Sequence, residues 1–390
     1  MTEACIVGWA HSQFGKLEDP DVESLIGKVA GAAIADAGID PTEIDAVFVS
    51  LFNNGFSNQD FPSSLVMQLL PELRFKPATR YENACASGSA AVYGARDYLA
   101  AGRGRFALIV GAEKMTATPG AKVGDILLNA AYRKEEGDIP AGFAGVFGQI
   151  ANQYFQRYGD QSDALAAIAA KNHKNGVDNP YAQMRKDLGF DFCRNVSEKN
   201  PYVAAPLKRT DCSLVSDGAA AMILTNEDTA RSMNKAIRFR AAVHVNDFLP
   251  ISKRDITAFE GAAKAWHMAL EQAGMKLDDL SFVESHDCFT IAELLEYEAM
   301  GLTPAGQGAR AVLEGWTAKD GKLPVNPSGG LKSKGHPIGA TGIAMVGWCA
   351  WHLLGKVPPA LQVPNARAAA TFNIGGPICA SVCTVLKPAS

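Results

Sequence analysis

Three short stretches carry side chains able to do covalent chemistry: NACASGSAAV at residues 83–92, HDCF at 286–289 and KGHPIGATG at 334–342. The first sets Cys85 just ahead of a run of small residues that reads as the start of a helix. A helix N-terminus lowers a thiol pKa and offers N–H groups to an anion. A free cysteine also packs well as a small hydrophobe, so position alone leaves both roles open for Cys85. The other two stretches add His286, Cys288 and His336. A thiol, two imidazoles and a second thiol are the parts needed for acyl transfer. One thiolate attacks a thioester or ketone carbonyl, a base takes the thiol proton, donors hold the oxyanion, and a second acid/base serves the other substrate.

The elements that must position these groups occur twice. Residues 32–50 (AAIADAGIDPTEIDAVFVS) and 267–286 (HMALEQAGMKLDDLSFVESH) share a helical apolar pattern, an Ala-Gly helix end, an acidic connector and a strand-like run. Gly after a helix and a β-rich run after a turn are the expected marks of an αβ connection. With Gly38 set against Gly274, Val47 meets Val283. Further on, Cys85 is followed by Gly88 and His336 by Gly339, each opening a small-residue helix and then a strand, ALIVGA or TFNIGG. Gly and Ala on most faces let other backbones approach, so both helices are expected inside. The pattern predicts a layered α/β protein with a pseudo-two-fold that brings Cys85 and His336 to a shared centre. Residues 115–205 break the repeat and read as an inserted loop domain, with helices at FGQIANQYFQRYG and from Ser162–Asp163, which are good N-cap types.

Composition narrows the partners. The 390 residues are 47% hydrophobic and 20% charged, with a net charge of −4. That balance excludes a bulk nucleic-acid or polybasic membrane partner, so an anionic ligand needs a local site. The eight cysteines are scattered, with no C-x-x-C pair and no Cys/His zinc spacing, so no metal is expected and reduced thiols in the cytoplasm are. The N-terminus lacks the basic and apolar regions of a signal peptide, and no window reads as a membrane span. Lys332/Lys334 and Lys253/Arg254 are pairs that could meet an anionic cofactor.

NACASGSAAV, NPSGGLKSKGHPIGATG and SDGAAAMIL together resemble the thiolase superfamily, over residues 4–387. HDCFTIAELL and NPYVAAPLKRTDCSLVSDGAAA resemble its sterol-carrier-protein type. The resemblance implies the thiolase fold: two similar βαβαβαββ halves in a five-layered αβαβα sandwich, with the halves at 1–230 (loop domain about 115–205) and 231–390. It implies acyl transfer between coenzyme A and a 3-ketoacyl-CoA, with CoA and acyl-CoA as substrates and no tightly bound cofactor. Cys85 would carry the acyl group, His336 would activate it, and His286 would help hold the enolate's thioester oxygen. Many thiolases place the second acid/base in a Cys-x-Gly motif; here Asn373 stands at that position, so Cys288 inherits the role, with Cys379 six residues past Asn373 as the alternative. CoA contacts at Lys332 and Lys334, and a homodimer or homotetramer, are also expected. The rival readings are a thiolase-like acyltransferase or carbon–carbon lyase subunit that needs a partner protein, and a non-catalytic acyl-CoA-binding subunit.

Overall fold

The computed structural model describes residues 3–389. Its strands are β1 (Ala4–His11), β2 (Ala46–Ser50), β3 (Ala78–Tyr81), β4 (Phe106–Glu113), β5 (Tyr202–Ala204), β6 (Leu207–Lys208), β7 (Gly218–Asn226), β8 (Ile237–Asn246), β9 (Phe282–Ser285), β10 (Ala369–Gly375) and β11 (Ala380–Pro388). Nine of them run in the order β3-β2-β4-β7-β1-β8-β11-β10-β9, and β5 and β6 form a separate ribbon. The nine divide at β1–β8, where only Cys5↔Arg238 and Ile6↔Ile237 pair. On one side β2 is parallel to β4, and β4, β7 and β1 follow antiparallel. On the other, β9, β10, β11 and β8 repeat that pattern. The counterpart of β3 in the second half shrinks to a single parallel bridge, Val283↔Val325.

Alternation along the strands sorts residues into layers, since successive side chains point to opposite faces. Ala107 and Ile109 pack on the inner face with the helices Ser87–Ala100 and Ile338–Leu353. Leu108 and Val110 face outward onto the helix Val22–Ala37. In the second half Phe372 faces outward, stacked on Trp266 of the helix Glu260–Ala273 with ring centroids 5.2 Å apart. The order is helix, sheet, paired helices, sheet, helix, which is the five-layered sandwich expected from the resemblance.

The internal repeat is visible in detail. Val22–Ala37 and Glu260–Ala273 end on Gly38 (φ 71°) and Gly274 (φ 64°), both left-handed, a conformation that glycine adopts without steric cost. A short 3-10 turn follows each, closed by Glu43 accepting from Asp40 N and by Asp279 accepting from Lys276 N.

Small residues let the two inner helices touch backbone to backbone. A Cβ on Gly342 would stand 2.2 Å from Ser89 N, and one on Gly88 would stand 2.8 Å from Ile343 N. The residues between Met115 and Ala204 do not sit apart. Phe143, Val146, Phe147, Ile150, Leu165 and Ile168 share a core with the helix Thr290–Ala299. The helix Ser162–Gly176 is capped differently from the sequence expectation: Asp160 Oδ1, two residues earlier, accepts from Ser162 N at 2.9 Å. Among the described residues no helix is long and apolar enough to cross a membrane.

Candidate active site

Both inner helices begin at one point, and each presents a reactive side chain there. Cys85 stands at the entry to Ser87–Ala100, and His336 two residues before Ile338–Leu353. His286 follows the end of β9. The Cys85 sulfur and a ring nitrogen of each histidine lie within 4.8 Å of one another. The two imidazoles are nearly perpendicular, with centroids 5.0 Å apart. Cys85 (5% exposed) and His336 (6%) line a cavity of about 540 Å³, as do Cys288, Met115, Val123, Leu127, Phe143 and Phe289. Phe289 of HDCF stacks on Phe147 at 4.3 Å, so the segment after β4 and the second half close over the thiol together.

Hydrogen bonds fix which nitrogen of each histidine carries the proton. Asn373 Nδ2 lies 3.2 Å from Cys85 O and 3.3 Å from Ile374 O, both pure acceptors, so it is the amide nitrogen. Its Oδ1 accepts from Ser89 Oγ at 2.7 Å. The same Nδ2 lies 2.8 Å from His286 Nδ1, which must therefore accept, leaving His286 Nε2 as an N–H donor. His336 is the reverse. Its Nδ1 is 2.7 Å from Thr341 Oγ1, whose own proton goes to Pro337 O at 3.0 Å. Nδ1 thus donates, and His336 Nε2 presents a lone pair. Neither Nε2 has a hydrogen-bond partner among the described residues. One imidazole is set up as a proton acceptor and the other as a donor.

This arrangement argues against a resident metal at the trio. A three-ligand zinc centre needs three lone pairs, and Asn373 holds a proton on His286 Nε2. Only Cys85 and His336 then offer lone pairs.

Burial keeps the four groups neutral. It pushes the Cys85 thiol up to about 12, with the Gly376 and Cys85 backbone N–H groups pulling weakly the other way. It lowers His336 to about 3, with the nearby Lys334 adding to the effect. His286 falls well below the usual imidazole value through burial and then through His336. Cys288 rises well above the usual thiol value, mainly through burial and secondly through Cys85.

The wider frame is held by buried carboxylates. Asp287 of HDCF accepts from Leu331 N (2.6 Å), Lys332 N (3.2 Å) and Asn172 Nδ2 (2.7 Å). A Cβ on Gly330 would stand 2.3 Å from that carboxylate, which explains the Gly-Gly before it. Glu113, at the end of β4, accepts from Phe52, Asn53 and Gly339 N–H groups and so ties the first half to the turn after His336. Burial raises the Glu113 carboxyl to about 7 against those three donors.

The structure thus brings Cys85, His286, Cys288 and His336 together, and places Lys332 and Lys334 elsewhere. Both lysines are 1% exposed and neither lines the cavity. Lys332 Nζ bonds Cys212 O, and Lys334 Nζ lies 5.7 Å above the Trp348 ring. Enclosed in this way, neither ammonium reaches a phosphate in the cavity. Lys253 stands over Phe248, and Arg254 bonds Ile378 O and Pro377 O, both away from the cavity. Cys379 lies outside the cavity wall. Sequence reasoning registered Asn373 only as a missing cysteine and passed over Thr341, Glu113 and Ser216. Thr341 was readable, since it lies five residues beyond His336 in the first turn of the helix that follows.

Comparison with known proteins places the chain in a family. Residues 4–228 match the family model "Thiolase, N-terminal domain", and residues 244–388 match "Thiolase C-terminal domain-like". The chain is 34% identical to an acetyl-CoA acetyltransferase of Methanothermobacter thermautotrophicus, covering 96% of this chain and 97% of the relative. It is 32% identical to sterol carrier protein 2 of Bos taurus, covering 95% and 69%. A solved structure described as an Ltp2-ChsH2(DUF35) aldolase superposes with a TM-score of 0.83 at 19% identity, over 99% of this chain and 98% of the other. The chain belongs to the thiolase family.

Proposed function

We propose that the protein transfers acyl groups between coenzyme A and a 3-ketoacyl-CoA through an acyl-enzyme on Cys85. The observation that carries this reading is the clustering of Cys85 with two imidazoles in opposite tautomers, with Cys85 and His336 on the wall of one largely apolar cavity and His286 buried behind them.

In the degradative direction His336 Nε2 takes the Cys85 proton as the sulfur attacks the 3-keto carbon. A thiol held near pKa 12 is not a resting thiolate, so proton transfer and attack are coupled. The bond between C2 and C3 then breaks. His286 Nε2–H holds the enolate oxygen of the departing acyl-CoA, and the Cys288 thiol protonates its C2. Cys288, now a thiolate, takes the proton of the incoming CoA thiol, whose sulfur removes the acyl group from Cys85. His336 returns its proton to the Cys85 sulfur. The reverse sequence is a Claisen condensation. Cys288 suits the acid role better than Cys379 because it lines the cavity.

Eight free cysteines support a reducing compartment such as the cytoplasm. An oligomer, a homodimer or homotetramer, is supported by β3, whose outer edge pairs with no other described strand. A second reading, a catalytic subunit that works only with a partner protein, draws on the fold neighbour whose description pairs Ltp2 with ChsH2(DUF35).

The test is mass spectrometry of the whole protein and its peptides after incubation with acetyl-CoA and with acetoacetyl-CoA, beside Cys85→Ala. An acetyl adduct on the Cys85 peptide, absent from the variant, is expected. No adduct from either compound overturns the self-sufficient reading and favours the partner-dependent one.

A further inference from the structure

We infer that Lys16 holds a phosphate of coenzyme A at the mouth of the cavity while the thioester end lies against Cys85. The inference rests on the acyl-CoA reading and names the contact that reading lacks, since Lys332 and Lys334 are enclosed.

The cavity wall runs from Cys85, Cys288 and His336 out to Lys16, Gln183 and Val215. Lys16 is exposed, and among the described residues it is the one lysine, arginine or carboxylate on that wall. Among the described residues Lys16 takes part in no ion pair. An uncompensated cation at the rim of a low-dielectric cleft attracts an anion and orients its approach.

The backbone under Lys16 is fixed on both sides. Gly15 and Asp217 exchange N–H···O bonds of 3.0 and 2.7 Å. Leu17 N donates to Asp217 Oδ2 at 3.2 Å, and Lys114 Nζ donates to Leu17 O at 2.8 Å. Lys114 also pairs with Asp217 at 2.7 Å, so that carboxylate is already neutralised and does not compete for Lys16. The ammonium therefore swings from a rigid anchor. A substrate with an apolar acyl end and an anionic far end fits this distribution: apolar wall and thiol at the floor, one free cation at the lip.

The experiment compares acetoacetyl-CoA with acetoacetyl-pantetheine, the same thioester without the nucleotide phosphates, in Lys16→Ala and Lys16→Glu. An exposed charge pair is worth about 2- to 5-fold in binding. The KM for the CoA ester should rise by about that factor in Lys16→Ala and further in Lys16→Glu, while the KM for the pantetheine ester changes less. The gap between the two esters should shrink as salt is raised. Equal changes for both esters, or none for the CoA ester, overturn the inference. If the wild type turns over neither ester, the self-sufficient acyl-transfer reading fails. Calorimetric titration of wild type and Lys16→Glu with CoA then decides the lysine by itself: weaker binding by the variant supports it, and equal binding overturns it.

Discussion

The two turns that present the reactive groups occupy equivalent places in the two halves and are held by different means. At Cys85 the partners are local. Ser87 Oγ accepts from Asn83 N at 2.8 Å and donates to Ala84 O at 2.6 Å, and Ala86 N returns to Asn83 O at 3.0 Å. Ala84 is left-handed (φ 49°), a conformation that costs a non-glycine residue about 1 kcal/mol or more. At His336 the partners are distant in sequence. Its amide donates to Ser216 Oγ at 2.9 Å, and Gly339 N donates to Glu113 Oε2 at 3.0 Å. Gly335 (φ 110°) takes the strain, and a Cβ there would meet Ser216 Oγ at 2.6 Å. The turn that carries the thiol is therefore closed mainly by its own segment, with Asn373 as its distant partner, and the turn that carries the base is closed by residues far away in sequence.

Asn373 is where the two systems meet, and its substitution should have the largest effect. It bonds Cys85 O and fixes the His286 tautomer. In Asn373→Asp the carboxylate accepts a hydrogen bond from His286 Nδ1–H, so a neutral ring loses the Nε2–H donor. Removing one oxyanion donor costs about 10²–10³ in kcat. We expect a loss in that range for Asn373→Asp and a smaller one for Asn373→Ala, which leaves both tautomers available. Steady-state kinetics of the two variants decide it. Equal losses would show that the amide serves only to pack.

The crossing of the inner helices should come next, and it reads as stability. In Gly342→Ala the new Cβ meets backbone at Ser89 N rather than a side chain that can swing away. Overpacking of this kind costs about 1–3 kcal/mol. Gly31 lies on the outer helix with nothing within 4 Å of its Cβ position, so Gly31→Ala should stabilise by up to ~1 kcal/mol. Urea unfolding of both variants, with opposite signs of change, is the expected outcome. If the His336 turn depends on the crossing, folded Gly342→Ala should also lose kcat while its Cys85 remains open to alkylation.

The same division explains what the sequence made legible. The Asn83–Ser87 bonds span four residues, so NACAS could be read as a presented thiol. The repeat with Gly38 against Gly274 foretold the layers, because a glycine helix end has one physical meaning in both places. The distant partners of the His336 turn were not legible. Ser216 and Glu113 are 120 and 226 residues from the atoms they bind, and nothing in their local sequence marks them. Lys332 and Lys334 misled for a related reason. Lysines are almost never fully buried unless paired, so a pair beside a reactive histidine reads as solvated. Their burial follows from Asp287 capping the Gly330–Lys334 turn from another element.

Thr341 should show the smallest effect and isolates the base from the rest. Thr341→Val keeps shape but removes the acceptor for His336 Nδ1–H. A buried donor left unpaired costs about 1–3 kcal/mol, part of which the ring recovers by changing tautomer. The ring that changes tautomer presents N–H to Cys85 and no longer accepts its proton, so kcat should fall about 3- to 10-fold, with recovery in Thr341→Ser. The pH profile gives the sign. Burial and then Lys334 hold His336 at about 3, so the acid limb of kcat/KM due to this base should lie well below pH 6.5 in the wild type. An imidazolium needs acceptors for both N–H groups, so losing Thr341 disfavours it further, and the limb in Thr341→Val should not move up. An upward shift would mean that Thr341 restrains the ring's basicity rather than orienting it.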